Sequence, residues 1–249
     1  MSGTEYTQLP NEPIWDHANR LMISHFVHYV AESAIARPDL PKLLSHHIAA
    51  YVNSFDHSKN TLLALYRTRE LMHESFRWTQ DSHGNWMSPL LTPDAPAAEW
   101  VKQSSRLFVE FVKSWQPVMD AIAVLVSFLL EVKGINIRAN RGSMYELQKC
   151  VQSGTFPTNL CALRQALTSR VEWYTNEIRV KRNQFVHNER VAILLPAPGS
   201  EETLVSVKKL DRDQTEERFP LDVFLNWTLG KYFLFAIAMG DAAKQVCSA

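Results

Sequence analysis

The sequence is poor in glycine, and it has no excess of charge of either sign. Its 249 residues include eight glycines, and these form no glycine-rich loop of the kinds that hold dinucleotides or nucleoside triphosphates. The 26 basic residues equal the 26 acidic ones, so the chain lacks the overall positive charge that attracts a large polyanion at long range. A nucleic-acid site in this chain therefore has to be local.

Cysteine is too scarce and too scattered for a disulfide scaffold or a thiolate zinc site. Cys150, Cys161 and Cys247 form no C-x-x-C pair and their number is odd, which favours a reducing compartment. The nine histidines include no H-E-x-x-H string. We therefore expect no metal ion and no cofactor.

The sequence also lacks a secretion signal and a convincing membrane span. Its first residues are polar, with no basic segment followed by an apolar one. The apolar segment 121–130 is only ten residues long, and the segment 223–240 contains Asn226 and Lys231. We interpret both as buried helices, and we expect a cytoplasmic protein without a membrane partner.

Most of the chain has apolar residues at steps of three and four, which is typical of amphipathic helices. Helices are predicted for 15–35, 42–53, 58–80 with Ser58 as its N-cap, 96–132, 143–151, 160–187 and 220–246. Residues 79–99 are rich in proline and predict a loop, and two β-rich runs in 189–210 predict a hairpin. The fold class is thus all-α: a helical bundle, in a single domain spanning 1–249, with a small β-hairpin inserted before the last helix.

The stretch RVKRNQFVHNER, residues 179–190, lies where the predicted helix 160–187 meets the first predicted strand. In a continuous α-helix Asn176, Val180, Asn183 and His187 share one face, whereas Arg182 and His187 diverge by roughly 140°. Two arrangements would bring Arg182 and His187 to one substrate atom. Either the helix ends or kinks between them, or two copies of the chain form the site together.

The residue types in this stretch suit phosphodiester cleavage without a metal. The planar guanidinium of Arg182 can bind a phosphate through two parallel hydrogen bonds and stabilise added negative charge. The imidazole of His187 can take a proton from a ribose 2′-hydroxyl or give one to a leaving oxygen. Asn183 can orient the imidazole or bind a phosphate oxygen. The competing interpretation is an ordinary helix end, where such polar residues are common.

The string R-N-x-x-V-H, residues 182 to 187, resembles the signature of the HEPN superfamily (higher eukaryotes and prokaryotes nucleotide-binding). That signature is an arginine, a polar residue, and a histidine four to six positions after the arginine. The resemblance implies a HEPN-like helical domain that forms a homodimer with the two motifs facing one another. It implies a metal-independent endoribonuclease, often a toxin or defence effector, that leaves a 2′,3′-cyclic phosphate. By this resemblance Arg182 binds phosphate, His187 transfers protons and Asn183 orients.

The sequence departs from one branch of the family at Glu189. In toxins that pair with a minimal nucleotidyltransferase antitoxin, a tyrosine two places after the histidine is the target of nucleotide modification. This chain has Glu189 there, which argues against regulation by that route. The expected partners are RNA, a second copy of the chain, and an antitoxin or other regulatory protein.

Basic residues outnumber acidic ones around the motif, six to three between positions 164 and 190. Arg179 and Lys181 are candidates for contacts with backbone phosphates, which position RNA without reading its sequence. Trp173, Tyr174 and Phe185 could stack on unpaired bases, or they could pack in the bundle.

A different class of function is open as well. The alternative to a ribonuclease is a noncatalytic helical module that binds nucleotide, RNA or a protein partner. A third interpretation is a purely structural or signalling bundle in which the motif is surface decoration.

Overall fold

A computed structural model of the chain describes residues 12–35, 41–76, 78–87, 96–135, 142–154, 156–187, 189–198, 200, 202–209 and 215–248. Its α-helices are α1 (Glu12–Leu21), α2 (His28–Ala34), α3 (Pro41–Ser75), α4 (Pro96–Val132), α5 (Met144–Gln152), α6 (Cys161–Leu167), α7 (Arg179–His187) and α8 (Leu221–Ser248). Two π-helical turns precede α2 and α7, and we name them π1 (Met22–Val27) and π2 (Trp173–Ile178). The predicted class, an all-α bundle with a small hairpin before the last helix, is confirmed.

The strands form two small antiparallel sheets within the described residues. β1 (Thr79–Gln80) pairs with β2 (Trp86–Met87). β3 (Glu189–Leu194) pairs with β4 (Leu204–Lys209), which gives the predicted hairpin, and β5 (Glu216–Pro220) adds a third strand that the sequence did not indicate. Pro220 is the last residue of an edge strand, where the lack of an N–H costs no ladder bond.

Helix α3 joins two segments that were predicted as separate helices, 42–53 and 58–80. Ser58, expected to cap the second one, is fully buried inside α3. No proline or glycine interrupts residues 53–58, and the burial of Tyr51 and Phe55 holds this weak helix-forming stretch in place. The prediction of two helices was wrong because tertiary packing outweighed local propensity. The helix also ends at Ser75, earlier than expected.

The predicted helix 160–187 is interrupted. Its first part, α6, ends at Leu167, where Thr168 leaves the helical region and its hydroxyl donates to the Arg164 carbonyl. A turn and then π2 follow before α7 begins. The predicted loop 79–99 is also partly wrong. The Asp81 carboxylate accepts hydrogen bonds from two backbone N–H groups and holds the β1–β2 turn, and α4 begins at Pro96, while 88–95 lie outside the described residues.

The chain divides into two compact units. The first unit contains residues 1–57, 114–179 and 227–249, and the second contains 58–113 and 180–226. The prediction that the chain is a single domain stays a prediction.

Each unit has its own aromatic core. In the first, Trp115 packs against Trp15, Trp173 and Tyr232, with ring centroids 5.0 to 5.4 Å apart. In the second, Phe108 packs against Phe224 at 5.5 Å. Contacts between large rings of this kind stabilise the packing of the helices that carry them.

Helices α4 and α8 are long and apolar enough to cross a membrane by length and composition. In their most apolar windows, 61% and 50% of the residues are buried inside the protein. Core helices of soluble proteins give the same pattern, so hydropathy alone does not separate the two cases.

Candidate functional site

Helix α7 carries the motif, and it runs without a break from Arg179 to His187. The first of the two arrangements that the sequence left open, a helix that ends or kinks between Arg182 and His187, is therefore not found. By the helical period these two positions leave the helix axis about 140° apart. The second arrangement, a site built by two copies of the chain, stays a prediction.

The face predicted to hold Asn176 together with the motif is not preserved. Asn176 lies in π2, whose i→i+5 hydrogen bonds widen the turn and rotate the residues before α7 relative to those within it. Within α7 itself the α-helical period holds, so Asn183 and His187 are one turn apart. The candidate site therefore begins with α7.

A side-chain hydrogen bond links the first two residues of the motif. The Nη1 atom of Arg182 donates to the Oδ1 atom of Asn183 at 2.9 Å, and both side chains are half-buried. Neighbouring residues of a helix normally point to different faces, so the long arginine side chain bends around the helix to make this contact. The guanidinium thereby lies beside Asn183, and position 187 follows one turn later on that side.

The His187 side chain lies outside the described residues, although its backbone closes α7. The Glu189 side chain lies outside them as well, and its backbone opens β3. The predicted roles of Arg182, Asn183 and His187 stay predictions.

Arg179 has an aromatic partner in the first unit. Its guanidinium carbon lies 3.7 Å from the centroid of the Tyr145 ring, and the Lys149 ammonium lies 4.2 Å from the same centroid. The Nε atom of Arg179 is buried, and no described residue offers it a hydrogen-bond partner. This cation–π arrangement fixes the guanidinium and leaves its terminal nitrogens as the groups that could meet a phosphate.

Lys181 is held by an acidic residue of β5. Its Nζ atom donates to both carboxylate oxygens of Glu217, at 3.0 and 3.3 Å, and lies 4.8 Å from the Phe219 ring centroid. Only 12% of the Lys181 side chain is exposed. A phosphate would have to compete with Glu217 for this ammonium group.

The neighbouring Glu216 adds negative charge to the same strand. It accepts hydrogen bonds from Arg218 at 2.7 Å and from Ser206 at 2.6 Å. These hydrogen bonds, mainly the one from Arg218 and next the one from Ser206, lower the pKa of Glu216 to about 2. The carboxylate is ionised at neutral pH, so acidic groups offset the local excess of basic residues that the sequence suggested.

No family model matches this chain, and no curated protein or solved structure matches it. The chemistry of the site is therefore inferred from its own side chains.

The structure adds a groove that sequence reasoning missed. Its volume is about 260 Å³, and it lies between α4 and the Phe185 side of α7 in the second unit. It is lined by Ser105, Arg106, Val109, Glu110, Lys113, Phe185 and Val191. The recurrence of Arg106, Val109 and Lys113 at helical spacing was visible in the sequence, but nothing there connected these positions to a motif that begins 69 residues after Lys113.

The aromatic residues near the motif divide into two groups. Trp173 and Tyr174 are 5% and 2% exposed, so the interpretation that they pack in the bundle is confirmed and their use in base stacking is excluded in this conformation. Phe185 is half-buried, lies 6.0 Å from Phe108 between ring centroids, and also lines the groove. It is the ring of the three that a base could reach.

The described residues contain no group of three or more histidine, cysteine, aspartate or glutamate side chains placed to hold a metal ion.

Proposed function

We propose that the protein is a metal-independent endoribonuclease of the HEPN type, acting on RNA in the cytoplasm as a homodimer. The observation that carries this proposal is the hydrogen bond between Arg182 and Asn183. It brings the guanidinium to the side of α7 on which position 187 follows one turn later. Arginine has five N–H donors, so binding Asn183 leaves others for a phosphate.

The reaction is an attack of the ribose 2′-oxygen on the adjacent phosphorus. One His187 takes the proton from the 2′-hydroxyl, and the P–O5′ bond breaks as the new P–O2′ bond forms. The second His187, from the other copy, gives a proton to the departing 5′-oxygen. The products are a 2′,3′-cyclic phosphate and a 5′-hydroxyl, and Arg182 stabilises the charge on the phosphorus centre between them.

The proposed reaction needs two copies of the chain. Each chain has one motif and therefore one His187, so a single chain cannot supply both the base and the acid. A pair of chains supplies two histidines and two arginines around one phosphate. In a toxin or defence role, an antitoxin or other regulatory protein would be a further partner.

The cytoplasmic location is part of this proposal. It is supported by the burial of half or more of the most apolar windows of α4 and α8 within the protein. It is also supported by the free thiols of Cys150, Cys161 and Cys247.

Cleavage of end-labelled single-stranded RNA in the presence of a chelator tests the proposal. We expect activity with the wild-type chain, a loss of about 10²- to 10⁴-fold for His187→Ala, and a loss of about 10²- to 10³-fold for Arg182→Ala. The upstream product should carry a cyclic phosphate, which mass spectrometry identifies.

Matched controls separate the motif from general effects of charge and surface. His83→Ala, on an exposed turn, and Arg190→Ala, on β3, remove the same side-chain types and should keep full activity. If His187→Ala cleaves as fast as the wild type, the assignment of His187 is wrong. RNA or nucleotide binding that depends on Arg182, without cleavage by any variant, would instead support the noncatalytic module.

A further inference from the structure

Helix α8 has a second apolar face that the described residues of the first unit cover only in part. The residues on this face recur at steps of three and four, and we call them the α8 surface: Trp227, Gly230, Lys231, Leu234, Ile237, Ala238 and Asp241. Leu234 and Ile237, at its centre, are 43% and 39% exposed. The opposite face of α8 is already occupied, because Tyr232, Phe235 and Met239 are buried in the core.

Two hollows lie on either side of this ridge. One, of about 280 Å³, lies between α8 and π2, and the other, of about 210 Å³, lies between α8 and α6. Leu234 and Arg170 line both. A ridge flanked by hollows of side-chain size is the shape into which a second helix packs.

Gly230 adds an independent observation. A glycine inside a helix costs roughly 1 kcal/mol relative to alanine, so it is normally kept for a packing reason. At Gly240 the reason lies within the chain, since an added Cβ would meet the Cβ of His25 at 2.8 Å. At Gly230, apart from the glycine's neighbours and the helix's own backbone, no atom of the described residues lies within 4 Å of the position of an added Cβ. The chain itself therefore does not need a glycine there, whereas a partner that approaches the helix closely would.

The α8 surface carries one positive and one negative side chain, which could pair across a two-fold axis between two copies of the chain. Lys231 and Asp241 lie at opposite ends of the apolar centre, ten residues or about 15 Å apart along the helix. Neither has an ion-pair partner among the residues that the structure describes. If two copies of α8 pack antiparallel around a two-fold axis near residue 236, each Lys231 faces the other copy's Asp241.

We propose that the α8 surface is a self-association interface, and that its occupant is the same surface of a second copy of this chain. The apolar centre, the hollows, the open space at Gly230 and the self-complementary charges all favour this partner. A lipid bilayer is disfavoured because Lys231 and Asp241 lie within the apolar face itself. The inference concerns association alone and does not depend on ribonuclease activity, although the proposed activity requires two copies.

Sedimentation velocity of the full chain, over a range of protein concentrations, tests the proposal with variants in which the charge at position 231 or 241 is reversed. We expect a dimer for the wild type and a dissociation constant raised about tenfold or more by Lys231→Asp or by Asp241→Lys, because each creates two like-charge contacts per dimer. An equimolar mixture of these two variants should form a dimer again, since every contact then joins opposite charges. The double variant Lys231→Asp/Asp241→Lys should also dimerise.

Two further variants keep the test decisive. Arg182→Ala should sediment like the wild type, and a preserved circular dichroism spectrum shows that each charge variant is folded. A wild-type chain that stays monomeric at all concentrations overturns the proposal, as does a dimer that neither single charge variant weakens. Flotation of a monomeric chain with phosphatidylcholine vesicles, lost in Leu234→Glu, would assign the surface to lipid instead. A dimer that does not cleave RNA would contradict only the proposed function.

Discussion

Single side chains decide how much positive charge the candidate site can offer. Lys181 is adjacent to Arg182, but its ammonium group is bound to both carboxylate oxygens of Glu217. The pair is partly exposed, so its strength is modest, about 0.2–1 kcal/mol. A substitution that removes the Glu217 carboxylate should therefore make the Lys181 ammonium group available to a phosphate.

We expect Glu217→Gln to strengthen RNA binding by the chain. Releasing Lys181 to a phosphate should lower the dissociation constant roughly two- to fivefold, which corresponds to the strength of an exposed pair. The slope of log K against log salt should steepen by about 0.7, the value for one added phosphate contact on a single strand. Fluorescence anisotropy of labelled single-stranded RNA at several salt concentrations measures both quantities.

The control for this change is Glu202→Gln, which removes the same charge from an exposed position whose backbone N–H bonds Ser200. It should leave the affinity and the slope nearly unchanged. An equal gain in the double variant Lys181→Gln/Glu217→Gln would show that lost repulsion, and not Lys181, causes the effect. No gain in Glu217→Gln would remove Lys181 from the set of phosphate-binding residues.

The sequence could indicate which residue types stand together in the motif, but not what they contact. The adjacency of Arg182 and Asn183 is visible in the sequence, and the structure gives it a hydrogen bond. The partner of Lys181 was not foreseeable, since Glu217 lies 36 residues further on and becomes a neighbour only through β5. Asn176 was assigned to the wrong face because a π-helical turn leaves no mark in apolar periodicity.

At the level of secondary-structure elements, a chain of hydrogen bonds between two tyrosine hydroxyls and one amide ties three helices of the first unit together. The Tyr51 hydroxyl on α3 donates to Asn19 Oδ1 on α1 at 2.9 Å, which uses its only hydrogen. In the 2.8 Å contact between Tyr51 and Tyr232 on α8, the Tyr232 hydroxyl is therefore the donor. Tyr51 is thus the central member of the chain.

This order of donors predicts that the two hydroxyl groups contribute unequally to the free energy of unfolding. Tyr51→Phe leaves the buried Tyr232 hydroxyl without its acceptor, and we expect a loss of about 1–3 kcal/mol in the free energy of unfolding. Tyr232→Phe keeps the bond from Tyr51 to Asn19 and should cost about 0.5–1.5 kcal/mol. Urea unfolding followed by circular dichroism measures both, with Tyr29→Phe as a control because its hydroxyl has no hydrogen bond in the described part of the chain. Equal costs would contradict the assigned donor order.

The same pair gives a pH dependence with a definite sign. Burial is the main cause that raises the pKa of Tyr51, and burial likewise raises the pKa of Tyr232, above the ordinary value of 10.0. Both groups therefore favour the neutral form in the folded state. Their contribution to the free energy of unfolding is complete below about pH 10 and is lost as the pH rises above that value. The double variant Tyr51→Phe/Tyr232→Phe should therefore lose less stability than the wild type when the pH is raised above about 10.

Long periodic elements were predicted well, and their ends and joints were not. The extent of α4 and the glycine that follows it were foreseen, since Gly134 has the positive φ of 71° expected after a helix. The joint that was predicted near Ser54 to His57 does not exist, because Phe55 is buried within α3. The third strand was missed because its residues, EERFP, have neither β-branched side chains nor apolar alternation.

At the scale of the whole molecule, hydropathy could not say what α8 packs against. Both faces of the helix are apolar, which suits a core helix, a membrane helix or a subunit interface. The structure shows one face buried in the first unit and the other carrying exposed Leu234 and Ile237 between two opposite charges, which is the arrangement that favours the proposed self-association. The proposed self-association would explain why both faces of α8 are apolar.

Self-association through α8 would make thermal stability depend on protein concentration. A partner that binds only the folded chain raises the unfolding temperature by mass action, so the midpoint of the wild type should rise as the protein is concentrated. Lys231→Asp should show a smaller rise over the same range, because its like charges weaken the proposed contact. Scanning calorimetry over a hundredfold range of concentration measures the difference. A wild-type midpoint that stays constant over this range, or one that rises equally in Lys231→Asp, would place any dimer contact outside the α8 surface.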